Sequence, residues 1–349
     1  DALNTTGDFD LVATTSNDVV HIKGNIVGVD AGGHEDITIT AGGTNGTNGG
    51  TITLGGTVGT HIRKVTLKAG TAVNLGGNIT TIDVADNNVD ITGPVVLTAD
   101  TAINTSANAG TIDFSSTINN DGLGTAFDLT LNSDGGAITV DSTIGNLVAV
   151  KAIDINASGG AGDITLNGIG NGTTAAGNAG QVDIGNAATD QLKLAGTFFT
   201  NGQTTYKASG TANGGDENIE ITGTTTFKTS DDALIFSTAA IDIANTANLT
   251  IDTGAGAITL TDIHGDGAAD TTDLDIDGGA ISVKGIGNSA AKDEINGVDI
   301  NGSGITLNGE IYTAGTGNNV AFTGPVSLAT GTIVIDTATD GGTVDFSST

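Results

Sequence analysis

Residues 249–260 read LTIDTGAGAITL: apolar and polar residues alternate, a glycine-rich corner follows, and the alternation resumes. Alternation over four or five residues is the pattern of a short strand with one buried face. Glycine supplies the positive φ that a sharp corner requires. The unit is strand, corner, strand, too short to bury its apolar face or pair its backbone alone. The phrase recurs as LTLNSDGGAITV at 129–140, IDINASGGAGDITL at 153–166, LDIDGGAISV at 274–283 and VDINGSGITL at 298–307. At 37–54, ITITAGGTNGTNGGTITL carries it with a longer Gly/Asn insertion. Starts at 249, 274 and 298 stand roughly two dozen residues apart, as do those at 129 and 153. Stacking each copy on the next pairs the strands, about 4.8 Å apart, and buries their apolar faces. The predicted fold is all-β, a single continuous parallel β-solenoid over 1–349. A right-handed β-helix of about 14–15 coils, near 24 residues each and roughly 70 Å long, is expected.

Composition agrees with a narrow interior. The 349 residues include 56 Gly, 2 Pro and no Cys, Met or Trp, with 3% aromatic residues. A wide core normally needs bulky side chains; here Ile, Val, Leu, Ala and Thr recur instead, the set that suits strands. Their even recurrence argues against disorder. Net charge is −30 with only 10 Lys and Arg, which repels nucleic acid and anionic membranes. No apolar run approaches a membrane span, so neither nucleic acid nor membrane insertion is expected. Absence of Cys excludes a disulfide framework. A first residue of Asp rather than Met reads as a processed chain or an excised segment.

A longer period overlies the short one. VDITGPVVL (89–97), IEITGTTTF (219–227) and VAFTGPVSL (320–328) open related blocks, dividing the chain at 1–88, 89–218, 219–319 and 320–349. The only prolines, Pro94 and Pro325, hold the same place in the first and third. VDINGSGITLNGEIYTAG (298–315) parallels VDIGNAATDQLKLAGTFFTNG (182–202), and GTIDFSST (110–117) returns as GTVDFSST (342–349). Phe127-Asp-Leu129 follows the interior copy, while Phe9-Asp-Leu11 stands near the start. The N-terminal text reads as the continuation of the C-terminal text. One period of a longer array is expected, covalent or built of head-to-tail subunits, with Asp1, Phe9, Phe346 and Thr349 at the junction.

Phrases such as VDINGSGITLNGEIYTAG and LTLNSDGGAITVDSTIG resemble the repeat regions of filamentous-haemagglutinin-like and giant autotransporter-like bacterial surface proteins. The resemblance covers nearly the whole chain and rests on repeat style, not on a diagnostic motif. It implies a secreted right-handed β-helix acting as a stalk, fibre or adhesin outside the cell or at its surface. It carries over no catalytic residues, and nothing here matches those families' secretion or membrane-barrel regions.

The densest acidic stretch, 264–279, holds Asp266, Asp270, Asp273, Asp275 and Asp277, hard oxygen ligands of the kind calcium takes. Its spacing fits neither an EF-hand nor the glycine-rich nonapeptide of calcium-binding β-rolls. Asp273, Asp275 and Asp277 alternate with Leu274 and Ile276, which places them on one outward strand face, and a solvated acidic strip is the competing reading. Asp216, Glu217, Glu220 and the pair Asp231–Asp232 raise the same question more weakly. HIRKVTLK (61–68) is the one basic cluster. Alternation turns Ile62, Val65 and Leu67 inward with a break near Arg63, leaving Arg63, Lys64 and Lys68 to meet an acidic face of a neighbouring coil or molecule.

Three function classes follow. The first is an extracellular structural repeat of a fibre, stalk or sheath, partnered by copies of itself or by flanking repeats of one polypeptide. The second is an adhesin whose corner insertions, at 42–50 and 168–181, bind surface glycans or host ligands. The third is a carbohydrate-active β-helix using Asp231–Asp232 with His61 and Arg63. Adjacent Asp residues on a strand face opposite sides, and the aromatics that could stack on sugar (Phe198, Phe199, Tyr206, Tyr312) are few. The chain is therefore read as no enzyme, with no cofactor beyond the candidate calcium ion. His21, His34 and His264 lack metal-ligand spacing. The sequons at Asn4, Asn104 and Asn248 compete with a structural alternative, asparagines stacked in register.

Overall fold

A computed structural model describes residues 3–29, 35–43, 48–157, 162–172, 174–209, 218–265, 272–287, 295–314, 318–329, 331–337 and 341–347. The chain is an all-β parallel β-solenoid of about 13 turns, with no helix among these residues. Each turn contributes a strand, or a single bridging residue such as Ile144, Ile169 or Ile286, to each of three ladders. The first ladder starts at Leu3–Thr5, the second at Phe9–Ala13 and the third at Val19–Ile22. Strands stack in chain order and all strand pairings are parallel: Phe9 opposes Ile37, Ile37 opposes Val65, and Val65 opposes Val89. Among the described residues one bridge is antiparallel, Asn171 to Ala175, inside a corner. Turn length ranges from Ile52 to Val73, 21 residues on, up to Val20 to Ile52, 32 residues on. Corner insertions make the mean turn slightly longer than the sequence unit, hence fewer turns than expected.

Inward positions carry the core. Val20, Ile52, Val73, Val95 and Ile118 succeed one another on the third ladder, each buried. Midway, the same ladder places Phe198 under Phe227 with rings stacked at 5.0 Å, while Tyr206 stacks on Phe236 at 5.0 Å on the first ladder. These four rings, with edge-on contacts across the interior, fill a cross-section that Ile and Val fill elsewhere. Phe198 and Tyr206 are core residues, not a sugar platform.

At the corners, hydroxyls replace apolar side chains and satisfy backbone carbonyls. Ser133 Oγ donates to Gly136 O at 2.6 Å, and Thr253 Oγ1 donates to Gly256 O at 2.7 Å. On the outside, Asn104, Asn132 and Asn156 stand in register on the first ladder, so Asn104 belongs to a stacked asparagine row.

The repeated phrase does not keep to one corner. Residues 129–140 turn from the first ladder to the second, because Leu129–Ser133 and Ile138–Val140 lie on those ladders. Residues 249–260 turn from the third ladder to the first, and 37–54 from the second to the third. Three similar corners accept one local code.

The longer period behaves alike. Val89–Thr92 and Val95–Leu97 join the second ladder to the third around Pro94, whereas Val320–Thr323 and Val326–Leu328 join the third to the first around Pro325. Local bonding is nonetheless the same. Thr81 Oγ1 donates to Asn87 O, Asn87 Nδ2 to Thr105 O, and Thr105 Oγ1 to Gly110 O. Thr313, Asn318, Thr337 and Gly342 repeat that chain of bonds. A two-coil cassette has been rotated by one ladder with its contacts intact.

Candidate functional site

Among the described residues, the candidates lie on the outer faces of the coils and on the first and last of them. Asp273, Asp275 and Asp277 all point outward from Asp273–Val283, with Leu274 and Ile276 buried between them. Parallel register sets Asp275 beside Thr250 on one side and Asp299 on the other, and Asp277 between Asp252 and Asn301. No described group of three or more His, Cys, Asp or Glu could hold a metal. Asp266 and Asp270 lie outside the described residues, as do Asp216 and Glu217.

Crowding leaves an electrostatic mark on the strip. Burial pushes the Asp275 carboxyl above its ordinary value of 3.8, and the charges of Asp299, Asp277 and Asp252 push it further. Burial likewise raises Asp113, helped by Asp141 and Asp90, and raises Asp154. Asp252 moves the other way, because Lys228 Nζ donates to it at 2.8 Å.

A carboxyl raised in the folded state keeps its proton to higher pH than in the unfolded chain. Its contribution to stability is full below 3.8 and declines as pH rises through the folded value. Asp275→Asn is therefore expected to raise stability at pH 7 by a few tenths of a kcal/mol, the size of an exposed charge pair. The gain should shrink toward pH 4, where the wild-type carboxyl is itself becoming neutral. Thermal melts of both chains at a series of pH values check this; a gain that grows on acidification would contradict it.

The basic cluster works between coils. Arg63 Nε and Nη2 donate to Asp36 Oδ1 and Oδ2 at 2.7 and 2.5 Å, and Lys64 Nζ lies 3.1 Å from Asp90 Oδ2. Asp36 sits on the preceding turn and Asp90 on the following one. The expected break near Arg63 is a register shift between Glu35 and Asp36, with Ile62, Val65 and Leu67 buried as the alternation requires. Lys68 lies between Thr40 and Thr92 in register.

Asp231 and Asp232 face opposite neighbours. Asp231 Oδ1 accepts from Ala255 N at 2.9 Å on the next turn, and Asp232 Oδ2 accepts from Gly202 N at 2.7 Å on the previous one. The pair staples three turns together. Glu220 accepts from Gln191 Nε2 and lies in register with Lys193. His264 lies opposite Asp242, and His21 opposite Thr53. His34 is outside the described residues.

Parts of the two expected loops bond into the coils. Within 168–181, Ile169 is a buried core rung pairing with Ile144 and Phe198, and Asn178 pairs with Val150. Glycine spacing hides such rungs, since a single inward Ile shows no alternation. Within 42–50, Asn48 N donates back to Gly42 O at 2.9 Å, closing the corner; residues 44–47 are outside the described set.

At the ends, Phe346 is 52% exposed although it stacks on Phe322 at 5.0 Å, and Phe9 is half-buried. Asp1 and Thr349 lie outside the described residues. Comparison of the chain with protein-family models, with curated proteins and with solved structures returns no match.

Proposed function

We propose that the chain is an extracellular structural repeat, a stretch of a long surface fibre, stalk or sheath whose task is mechanical. The solenoid fold is compatible with both a structural repeat and an adhesin. The observation that supports the structural reading is the continuity of three parallel ladders from Leu3 to Phe346. Continuous ladders pair the backbone of every turn with the next, so the rod resists bending along its length. About 13 turns at about 4.8 Å each make a rod on the order of 60 Å. The resemblance of repeat style to bacterial surface proteins points the same way. Catalysis has no part in this reading.

An adhesin would carry its ligand contacts on the corner excursions. The test removes residues 44–47 and 172–174 together, sparing Ile169, and measures attachment of coated beads to cells and glycans. Unchanged attachment, with the rod retained in small-angle scattering, is the expected result. Attachment lost while the rod persists would overturn the structural reading in favour of the adhesin.

A further inference from the structure

We propose that a cleft on the flank of the rod binds a monocarboxylated sugar, a hexuronate. The proposal goes beyond the structural reading and uses neither the end coils nor the corner excursions. Its site lies where three successive turns leave the first ladder, after Phe236, Leu260 and Val283. The cleft encloses about 420 Å³ and is lined by Ser237, Thr259, Thr261, Ser282 and Lys284, a volume within the range of small-ligand sites.

Three features set this cleft apart. Thr261 is the first. On the next two turns its place is taken by Lys284 and Asn308, both exposed, whereas Thr261 is 6% exposed. Its hydroxyl has no hydrogen-bond partner among the described residues, while Thr253, one corner earlier, spends its hydroxyl on Gly256 O. A buried hydroxyl without a partner carries a desolvation cost that a ligand oxygen would relieve.

Thr238, on the rim of the cleft, is the second. It has φ of 79°, and Ala239 N donates to Ser237 O across it at 3.1 Å. A γ-turn with positive φ is rare and strained, and more so for a β-branched residue. Strain of that kind persists where the surrounding structure imposes it, often at a ligand clamp.

Lys284 is the third. Its Nζ lies 4.0 Å from Asp262 Oδ2, whereas Lys64, Lys151, Lys193 and Lys228 stand 2.8–3.2 Å from their aspartates. Among the described residues no carboxylate lines the cleft. In a chain of charge −30, the cleft offers an anion a cation with little local repulsion.

These groups define the ligand's class. One ammonium offsets one negative charge, and the lining holds neither arginine nor a helix N-terminus, the groups that favour phosphate. A carboxylate suits Lys284. Asn308 Nδ2 donates to Ser282 Oγ at 3.0 Å, which leaves the Ser282 O–H free to donate outward. Thr259 stands beside Ser282 in register, about 4.8 Å away, so hydroxyls along one sugar ring meet successive turns. Phe236 is 1% exposed and presents no ring face to the cleft. Affinity therefore rests on polar contacts, and Kd is expected on the order of 1 mM.

Saturation-transfer NMR of the whole chain at physiological salt tests this, with amide shifts to locate the contact. D-Glucuronate and D-galacturonate are the probes, D-glucose and D-galactose the neutral controls, and inorganic phosphate the competing anion. At least one uronate should bind about tenfold more tightly than its neutral sugar, with shifts confined to the turns around Ser237, Thr261 and Lys284. Lys284→Gln, at a side chain 59% exposed, should fold normally and weaken that binding about tenfold. Thr261→Val should weaken binding while raising the melting temperature, a pairing that a merely structural hydroxyl does not give. Equal binding of uronate and neutral sugar, tighter binding of phosphate, or shifts elsewhere on the rod overturns the proposal. So does unchanged binding by either variant, or no binding at about ten times the expected Kd.

Discussion

Phe227→Ala is expected to lower the stability of the central coils by about 3–5 kcal/mol, the range for deleting a buried aromatic side chain. Phe227 is 1% exposed, and its ring centroid lies 5.0 Å from Phe198, 5.0 Å from Tyr206 and 5.1 Å from Phe236. Those neighbours are held by ladders on the first and third sides, so they cannot slide in to fill the void. A solenoid's stability is a sum over coils and their contacts, so the loss should stay local. Hydrogen exchange is the suitable measurement: amides from Phe198 to Ile251 should lose protection while those around Ile52 and Val73 keep theirs. Uniform loss along the rod, or a local loss below about 1 kcal/mol, would refute this account. The neighbouring Tyr206 supplies an opposite expectation. Its hydroxyl is fully buried, has no hydrogen-bond partner among the described residues, and has its ionisation pushed far above the ordinary value by burial alone. Tyr206→Phe removes an unsatisfied polar group and keeps the ring, so it should stabilise by about 1 kcal/mol or more.

Gly93→Ala is the second large effect. Gly93 has φ of 111°, and a Cβ there would lie 1.8 Å from the Ala69 carbonyl oxygen of the preceding turn. Backbone cannot yield that far without opening the corner that leads into Pro94, whose own carbonyl accepts from Val73 N. Strain and clash together should cost about 2–4 kcal/mol. The same result is expected at Gly324, with φ of 127° and a Cβ placed 1.9 Å from Gly302 O. Gly304→Ala is the internal control, because nothing lies within 4 Å of its Cβ position; it should be neutral or stabilise by up to about 1 kcal/mol. Chemical denaturation of the three variants separates them. Equal behaviour of Gly93→Ala and Gly304→Ala would show that the corner relaxes freely.

Much of the fold was legible at short range. LTIDTGAGAITL announces strand, corner and strand because alternation fixes which side chains point inward, and Leu249, Ile251, Ile258 and Leu260 are indeed buried. The same rule placed Asp273, Asp275 and Asp277 outside and located the break beside Arg63. It failed at Ile169, an isolated rung among glycines, and at Phe198 and Tyr206, whose burial depends on partners one turn away. Nor could it assign partners to Arg63, Asp231 or Asp232, because each bonds across turns to residues more than 20 positions off in the chain.

By itself, the sequence determined the repeating unit, the parallel stacking it demands and the narrow aliphatic interior. Tertiary structure alone decided the phase: which ladder each phrase occupies, and that the Pro94 and Pro325 cassettes are turned by one side relative to each other. The reason is geometric. Strand and corner are specified by contacts within a dozen residues, and three nearly equivalent corners satisfy those contacts equally well. Only the accumulated lengths of all preceding turns determine where a phrase comes to rest.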